Sequence, residues 1–454
     1  MNIQYQKGST IAAVATPPGN GAIAIVRLSG PEAIAIAEKI FSGPVAKFRS
    51  HTAHTGQVLA ADGSVIDQAL LIVFCAPRSY TGEDSVEIYC HGGALVTRKV
   101  LHRVLEAGAR AALPGEFSFQ AFGNGKLDLA QAEAVQLLIS SQNELARQSA
   151  SQQLEGVLSK RIAQFQQNLT RIAAILEAWV DFPEEGLEFA PLDATIEELE
   201  TIHQQILALL NTFHEGRAIH EGISLCLAGS PNVGKSSLMN ALLGKNRAIV
   251  TDIPGTTRDS LEENLRLGSM HFRITDTAGI CSATDPVEQE GIRRSFAAMD
   301  AADLILLVLD ASRPLSDNDR QLIDELKEKR AILVWNKVDL SMPEETISWE
   351  PVVFLSAKES QGIDALKQAI DRMIWKNGMP SKEEIVLSSV RHYQALHAAA
   401  DSCQAVIDGL KEGRSPEFLS FDMRSCLNHL GAIIGTNVSE DILSSIFSQF
   451  CVGK

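Results

Sequence analysis

The sequence predicts a multidomain protein of three parts: an N-terminal α+β domain, a discontinuous all-α helical domain, and an α/β domain inserted into the helical one. Three observations carry that prediction. The chain has 454 residues, which at about 150 residues per domain holds roughly three domains. Its hydrophobic pattern changes from short β-type runs to long Ala/Leu/Gln-rich helical text, which returns near the C-terminus. Between the two helical stretches, strand and helix patterns alternate as in a doubly wound sheet.

The N-terminal domain is expected over residues 1–120. IAAVAT, AIAIVRL, ALLIVF and SVEIYC read as strands, and PEAIAIAEKIF behind Pro31 reads as a helix. The helical domain is expected over 121–216 and 379–454. From Leu127 the spacing is helical for many turns, broken at DFPEEGLEF, resumed across IEELETIHQQILALLNTF, and taken up again after Pro380 in EEIVLSSVRHYQALHAAADSCQAVIDGL. The inserted α/β domain is expected over 217–378.

Apolar residues at 45 % and charged residues at 21 % exclude a disordered tail or a collagen-like fibre. Lys and Arg total 40 against 56 Asp and Glu, a net charge of −16. Residues 1–130 are nearly neutral, and the acidity lies in the rest. No overall basic face for nucleic acid is present, so a nucleic-acid role is expected to need a partner. MNIQYQKGST lacks the pattern of a signal peptide, and no stretch has 18 uninterrupted apolar residues, so no membrane association is expected. The seven cysteines are odd in number and form no CxxC pair, which argues for a cytoplasmic chain with reduced thiols.

Gly229-Ser230-Pro231-Asn232-Val233-Gly234-Lys235-Ser236 satisfies G-x-x-x-x-G-K-[ST] between the apolar run ISLCLA and the helix start SSLMNALL. In such a loop main-chain N–H groups surround phosphates and the helix N-terminus favours their charge. Lys235 is expected to reach the β- and γ-phosphates and Ser236 to ligate Mg²⁺, with Asn232, Val233, Gly234 and Ser237 also at the nucleotide. Asp276-Thr277-Ala278-Gly279 follows FRIT; Asp276 would reach Mg²⁺ through water, and Gly279 would offer its N–H to the γ-phosphate. Asn336, Lys337 and Asp339 follow AILVW. A carboxylate at Asp339 accepts from guanine N1–H and its exocyclic amine, a donor pair adenine lacks. Ser356, Ala357 and Lys358 follow VVFL and would close over the base. Thr251, Asp252, Ile253, Pro254, Gly255, Thr256 and Thr257 stand where switch I belongs, and Thr257 would complete the Mg²⁺ shell. These elements together predict a Ras-like P-loop G domain that binds GTP. After DTAG the position that orients water in Ras-like enzymes is Ile280, so another group must act there; Asp285, Glu288 and Glu290 are the nearby acids.

Over its whole length the chain resembles the tRNA modification GTPase family MnmE, also called TrmE. The resemblance rests on TIAAVATPPGNGAIAIVRLSGP, SYTGEDSVEIYCHGG, PGEFSFQAFGNGKLDLAQAEAV, the TTRD switch, DTAGI and the ending Cys451-Val452-Gly453-Lys454. It implies a K⁺-activated GTPase, a homodimer whose G domains meet across nucleotide and K⁺. With the FAD-dependent partner MnmG, such proteins place an aminomethyl-type or carboxymethylaminomethyl group on C5 of the wobble uridine of certain tRNAs. The one-carbon source implied is 5-formyl- or 5,10-methylene-tetrahydrofolate, and much of the tRNA grip falls to the partner.

By the same resemblance, Asn232, Thr251, Ile253 (through its carbonyl) and Thr256 would line K⁺, and Glu288 would position the attacking water. Arg27, Glu87, Lys126 and Lys454 would hold folate, and Cys451 would be a reactive thiol beside it. His91-Gly92-Gly93 reads as a structural turn or a ligand-facing one. The chain departs from the family pattern at Gln120, where Arg is usual, and at Cys281. An Era-like RNA or ribosome assembly factor is the alternative, but it gives no role to the N-terminal domain or the CVGK ending.

Overall fold

The computed structural model describes residue 5 and residues 8–181, 192–243, 262–267, 270–276, 297–375 and 385–454. The chain divides into two compact units: residues 1–139, 152–200 and 398–454, and residues 140–151 with 201–397.

The first unit is built on a six-stranded sheet of order β3-β4-β5-β2-β1-β6, with β1 (Ile11–Val14), β2 (Ile23–Ser29), β3 (Ala53–Leu59), β4 (Val65–Phe74), β5 (Ser85–His91) and β6 (Arg110–Ala111). Neighbours are antiparallel except β1 and β6, which are parallel. Alternation along the strands decides the faces. Ala12, Val26, Leu28, Leu71, Val86 and Ile88 point to a core closed by α1 (Ala33–Ile40) and α2 (Ala94–Glu106). Ile11 and Ala13 face the other way, onto Phe117 of α3 (Glu116–Gly123). β3 and β6 have no counterpart among the expected strands: β3, AHTGQVL, has only weak β-type alternation, and β6 is two residues long.

The helical text after Leu127 forms α4 (Leu129–Ser140), α5 (Glu144–Leu154) and α6 (Val157–Asp181). Asn143 caps α5, its side-chain oxygen taking the Ala146 N–H at 2.7 Å. Later come α7 (Leu192–Asn211) and α8 (Phe213–Glu221). DFPEEGLEF lies mostly outside the described residues. The return helix starts later than the sequence suggests. Residues 385–389 are not helical, and the Leu387 N–H bonds to the Thr212 hydroxyl at 3.0 Å, a tertiary tie that propensity does not report.

In the first unit α6 packs against the C-terminal helix Pro416–Ile434. Leu158, Ile162, Phe165, Leu169, Ile172 and Leu176 recur at alternating steps of four and three, as do Leu419, Met423, Cys426, Leu430 and Ile433. Such spacing keeps one apolar stripe along one side of each helix. Leu129, Ala132, Phe447 and Phe450 form a further cluster, with Tyr5, Phe119 and Phe122 against it.

The second unit holds a sheet of order β12-β11-β10-β7-β9-β8, made of β7 (Ile223–Ala228), β8 (Glu262–Leu267), β9 (Met270–Asp276), β10 (Leu304–Asp310), β11 (Ala331–Asn336) and β12 (Val352–Phe354). All pairs are parallel except β8 with β9. β10 (LILLVLD) and β11 (AILVWN) are buried at every residue, as strands covered on both faces must be. Two cores form, one between the sheet and α9 (Lys235–Leu243) with the helix Ile363–Ile374, the other against α10 (Asp317–Leu326). The whole is the multidomain P-loop architecture the sequence predicts. Among the described residues no helix is long and apolar enough to cross a membrane.

Candidate functional site

The loops after β7, β10, β11 and β12 leave the carboxyl ends of parallel strands, where open α/β sheets bind ligands. Asn336, the last residue of β11, is 2 % exposed and joins three of them. Its amide donates to the Val233 carbonyl at 2.9 Å, and its side-chain oxygen accepts the Ala357 N–H at 3.0 Å. Lys337, at φ 67°, donates to the Asn232 carbonyl at 2.8 Å and to Asp310 Oδ2 at 2.6 Å. Burial pushes the Asp310 carboxyl up, but bonds from the Lys337 ammonium and from Ser312 outweigh it and hold the group below its usual range. Gly234 adopts φ 98°, and a Cβ there would run into the Asn336 amide, so only glycine lets the two loops meet.

Lys235 is 7 % exposed, with its ammonium on the Gly229 carbonyl at 2.7 Å and the Ser230 carbonyl at 3.1 Å. Ser236 and Ser237, at the N-terminus of α9, are exposed, as are Asn232, Asp339 and Lys358. Ser356 is fully buried; its hydroxyl takes the Glu359 N–H at 3.2 Å and its backbone pairs with Gln361, so it shapes the last loop. The phosphate-loop and base-loop candidates thus come together. Asp276 ends β9, with only its backbone described. Thr251 to Thr257, Thr277, Ala278, Gly279, Ile280, Cys281, Asp285, Glu288 and Glu290 lie outside the described residues. Sequence reasoning missed Ser230, Asp310 and Asp319. A trace of Asp310 was present, since it ends an apolar strand as Asn336 does.

A second cluster lies on the face of the first sheet that carries Phe117. Register places Arg27 opposite Glu87, and the pair closes with Nε and Nη2 at 2.9 and 2.8 Å from Oε1. Both side chains are mostly buried, so removing either partner takes away the other's ion pair. The Tyr89 hydroxyl donates to Glu87 Oε2 at 2.7 Å. The Tyr80 and Phe117 rings each lie 5.8 Å from the Arg27 guanidinium carbon. Tyr80 is further held by Ser118, hydroxyl to hydroxyl, at 2.8 Å.

The chain's end reaches this cluster: Arg27 Nη1 donates to the Gly453 carbonyl at 3.2 Å. Gly453 has φ 95°, and a Cβ there would sit 2.5 Å from the Val14 carbonyl oxygen, which is why the ending needs a glycine. Burial, and next to it the Arg27 charge, push the Lys454 ammonium down. Arg27, Glu87 and Lys454 therefore converge. Lys126 instead donates to the Pro77 carbonyl at 3.1 Å, on the segment leading to Tyr80. Cys451 is exposed, its carbonyl taking the Gly115 N–H at 3.4 Å. Gln120 is 7 % exposed with neither amide atom hydrogen bonded. In His91-Gly92-Gly93, which leads from β5 into α2, the Gly92 carbonyl takes the Gly21 N–H at 3.0 Å, and His91 pairs with Asp67 at 2.7 Å. Tyr80 and Tyr89 were not anticipated, because a lone tyrosine in a strand or loop reads as packing.

Residues 10–126 match the N-terminus of the GTP-binding protein TrmE, and residues 129–451 match the MnmE helical domain. The chain is 57 % identical over 451 residues to the tRNA modification GTPase MnmE of Protochlamydia amoebophila, covering 99 % of this chain and 98 % of that one. It is 45 % identical over 451 residues to the MnmE of Chlamydia abortus, covering 99 % and 100 %. Among solved structures, the G domain of the T. maritima FeoB iron transporter is 29 % identical over 33 % of this chain and 98 % of that one, with a TM-score of 0.26. Aquifex aeolicus Era is 22 % identical over 40 % and 66 %, with a TM-score of 0.28. Since the identity runs through both sheets and the helices alike, the chain belongs to the MnmE family of tRNA modification GTPases, P-loop enzymes that hydrolyse GTP.

Proposed function

We propose that this GTPase is activated by K⁺ and, as a homodimer with the FAD-dependent partner MnmG, modifies C5 of the wobble uridine of certain tRNAs in the cytoplasm. The group added is aminomethyl or carboxymethylaminomethyl, with a folate one-carbon unit as source. The observation that carries this reading is the convergence of Arg27, Glu87 and Lys454 in a chain that also holds a complete phosphate loop. Residues 1–120 form the folate-binding and dimerisation domain, 121–216 with 379–454 the helical domain, and 217–378 the G domain.

The residues present suit these groups. A pteridine has donor and acceptor edges for a carboxylate and a flat face for an aromatic ring, and Glu87 and the 37 % exposed Tyr80 offer both. Arg27, Lys126 and Lys454 answer the acidic tail of the folate. At the nucleotide, Lys235 exchanges its loop carbonyls for phosphate oxygens, and Asp339 reads the guanine edge. The exposed hydroxyl of Ser236 suits a hard cation, and with Thr257 it would hold Mg²⁺; Asn232, Thr251, Ile253 and Thr256 would hold K⁺. When bound, the two cations supply positive charge against the phosphate charge of the transition state, and the folate supplies the carbon. Glu288 orients the water, and Cys451 contributes a thiol to the tRNA chemistry.

The test has two arms. GTP turnover is expected to rise markedly when K⁺ replaces Na⁺, with Glu288→Ala keeping nucleotide binding and losing most hydrolysis; equal rates in both salts would overturn the K⁺ role. Mass spectrometry of wobble uridines from a strain lacking the gene is expected to show the modification missing. Cys451→Ser is expected to abolish modification while sparing GTP hydrolysis, and normal modification in that variant would remove Cys451 from the chemistry.

A further inference from the structure

The phosphate loop is fastened to a helix far away in sequence. Ser230, its second residue, is 4 % exposed, and its hydroxyl donates to Asp319 Oδ1 at 2.6 Å. Asp319 lies in the first turn of α10 and is 2 % exposed. Its other oxygen takes the Ser316 N–H at 3.0 Å and the Ser316 hydroxyl at 2.6 Å, while the Ser316 hydroxyl oxygen faces the Asp319 N–H at 3.2 Å. Arg313 Nη2 stands 3.7 Å from the same carboxylate oxygen.

A capping box needs only one carboxylate oxygen. Here the second oxygen is buried and committed to Ser230. The carboxylate is tolerated there because the helix N-terminus and three hydrogen bonds stabilise its charge. The Ser230 carbonyl and the neighbouring Gly229 carbonyl are the two acceptors on which Lys235 rests. A short chain of contacts thus runs from Asp319 through Ser230 to the ammonium of Lys235, with Ser316 on the other carboxylate oxygen and off that path.

We propose that Asp319 is a positioning residue for nucleotide binding. It acts through the Ser230 hydroxyl to set the main-chain carbonyls that seat Lys235, and so keeps the loop in the form that phosphates enter. A hydrogen bond to a buried carboxylate is among the strong ones, so its loss is legible in affinity.

The test uses the full chain with fluorescent GDP and GTP titrations, steady-state GTP turnover, and thermal unfolding without nucleotide. Ser230→Ala and Asp319→Ala are each expected to weaken GDP binding about tenfold and to raise KM more than they lower kcat. The double variant is expected to be no weaker than the weaker single one, because both substitutions remove the same bond. Ser316→Ala breaks the cap and spares the Ser230 bond; it is expected to lower the unfolding midpoint while GDP affinity stays within about twofold. Wild-type GDP affinity in Ser230→Ala, multiplying effects in the double variant, or an equal affinity loss in Ser316→Ala would each overturn the proposal. Ser230→Ala keeps it falsifiable should Asp319→Ala fail to fold.

Discussion

The side-chain amide of Asn336 donates to the main-chain carbonyl of Val233 at 2.9 Å, joining the end of β11 to the phosphate loop. The other end of that amide takes the N–H of Ala357. One buried side chain therefore ties the phosphate loop, the base loop and the loop that would close over the base. Asn fits this position because it carries a donor and an acceptor on one flat group; Asp has no donor and Leu has neither.

Asn336→Ala leaves a buried carbonyl and a buried N–H unpaired, at about 1–3 kcal/mol for each. Nucleotide affinity and the urea-unfolding midpoint are expected to fall together. Fluorescent GDP titration and equilibrium unfolding on one preparation check this.

Gly234→Ala places a methyl group against the Asn336 amide and forces an L side chain to φ 98°. Backbone strain of about 1–3 kcal/mol is expected, on top of the displaced Asn336 bond. Binding of GTP is expected to be lost with the helical content by circular dichroism unchanged.

Arg27→Ala removes the ion-pair partner of the Glu87 carboxylate, which keeps the Tyr89 hydroxyl and the nearby Lys454 charge. Calorimetry with 5-formyl-tetrahydrofolate is expected to show affinity falling by about tenfold or more, since charge-assisted bonds are the strong ones. GTP turnover in the same protein is expected to stay at the wild-type rate. Tyr80→Leu is expected to weaken folate binding less, because it removes a ring face and no charge.

His220, on α8, has no hydrogen bond to its Nε2, and burial pushes its imidazole down from 6.5 to about 4, with Glu221 opposing only in part. The unfolded chain therefore takes up a proton near pH 6.5 that the folded chain refuses until about pH 4. Its contribution to stability is complete above 6.5 and is lost as pH falls through that window. Urea midpoints taken between neutral pH and pH 5 are expected to drop, and His220→Gln is expected to flatten the drop.

Much of the architecture and part of each site are legible in the sequence. The phosphate loop from Gly229 to Ser236 is a local object, a strand, a turn and a helix start, and local patterning specifies it. The buried strand AILVWN, with Asn336 at its end, is equally plain. The return helix starts at Val390, later than its pattern suggests, and just ahead of it a distant hydroxyl, that of Thr212, takes the Leu387 N–H. Strand β3 was missed because one edge strand of mixed polarity carries little signal of its own.

Sequence by itself determined the fold class, the phosphate loop and the family, because these rest on short-range pattern and on motifs in fixed order. Tertiary structure decided what touches what. Register across β2 and β5 paired Arg27 with Glu87, the chain's return to β1 brought Gly453 and Lys454 to them, and packing of α10 brought Asp319 to Ser230, 89 residues away. Such contacts are selected by the shape of closed cores and the need to pair every buried polar group, and no local stretch of sequence encodes either.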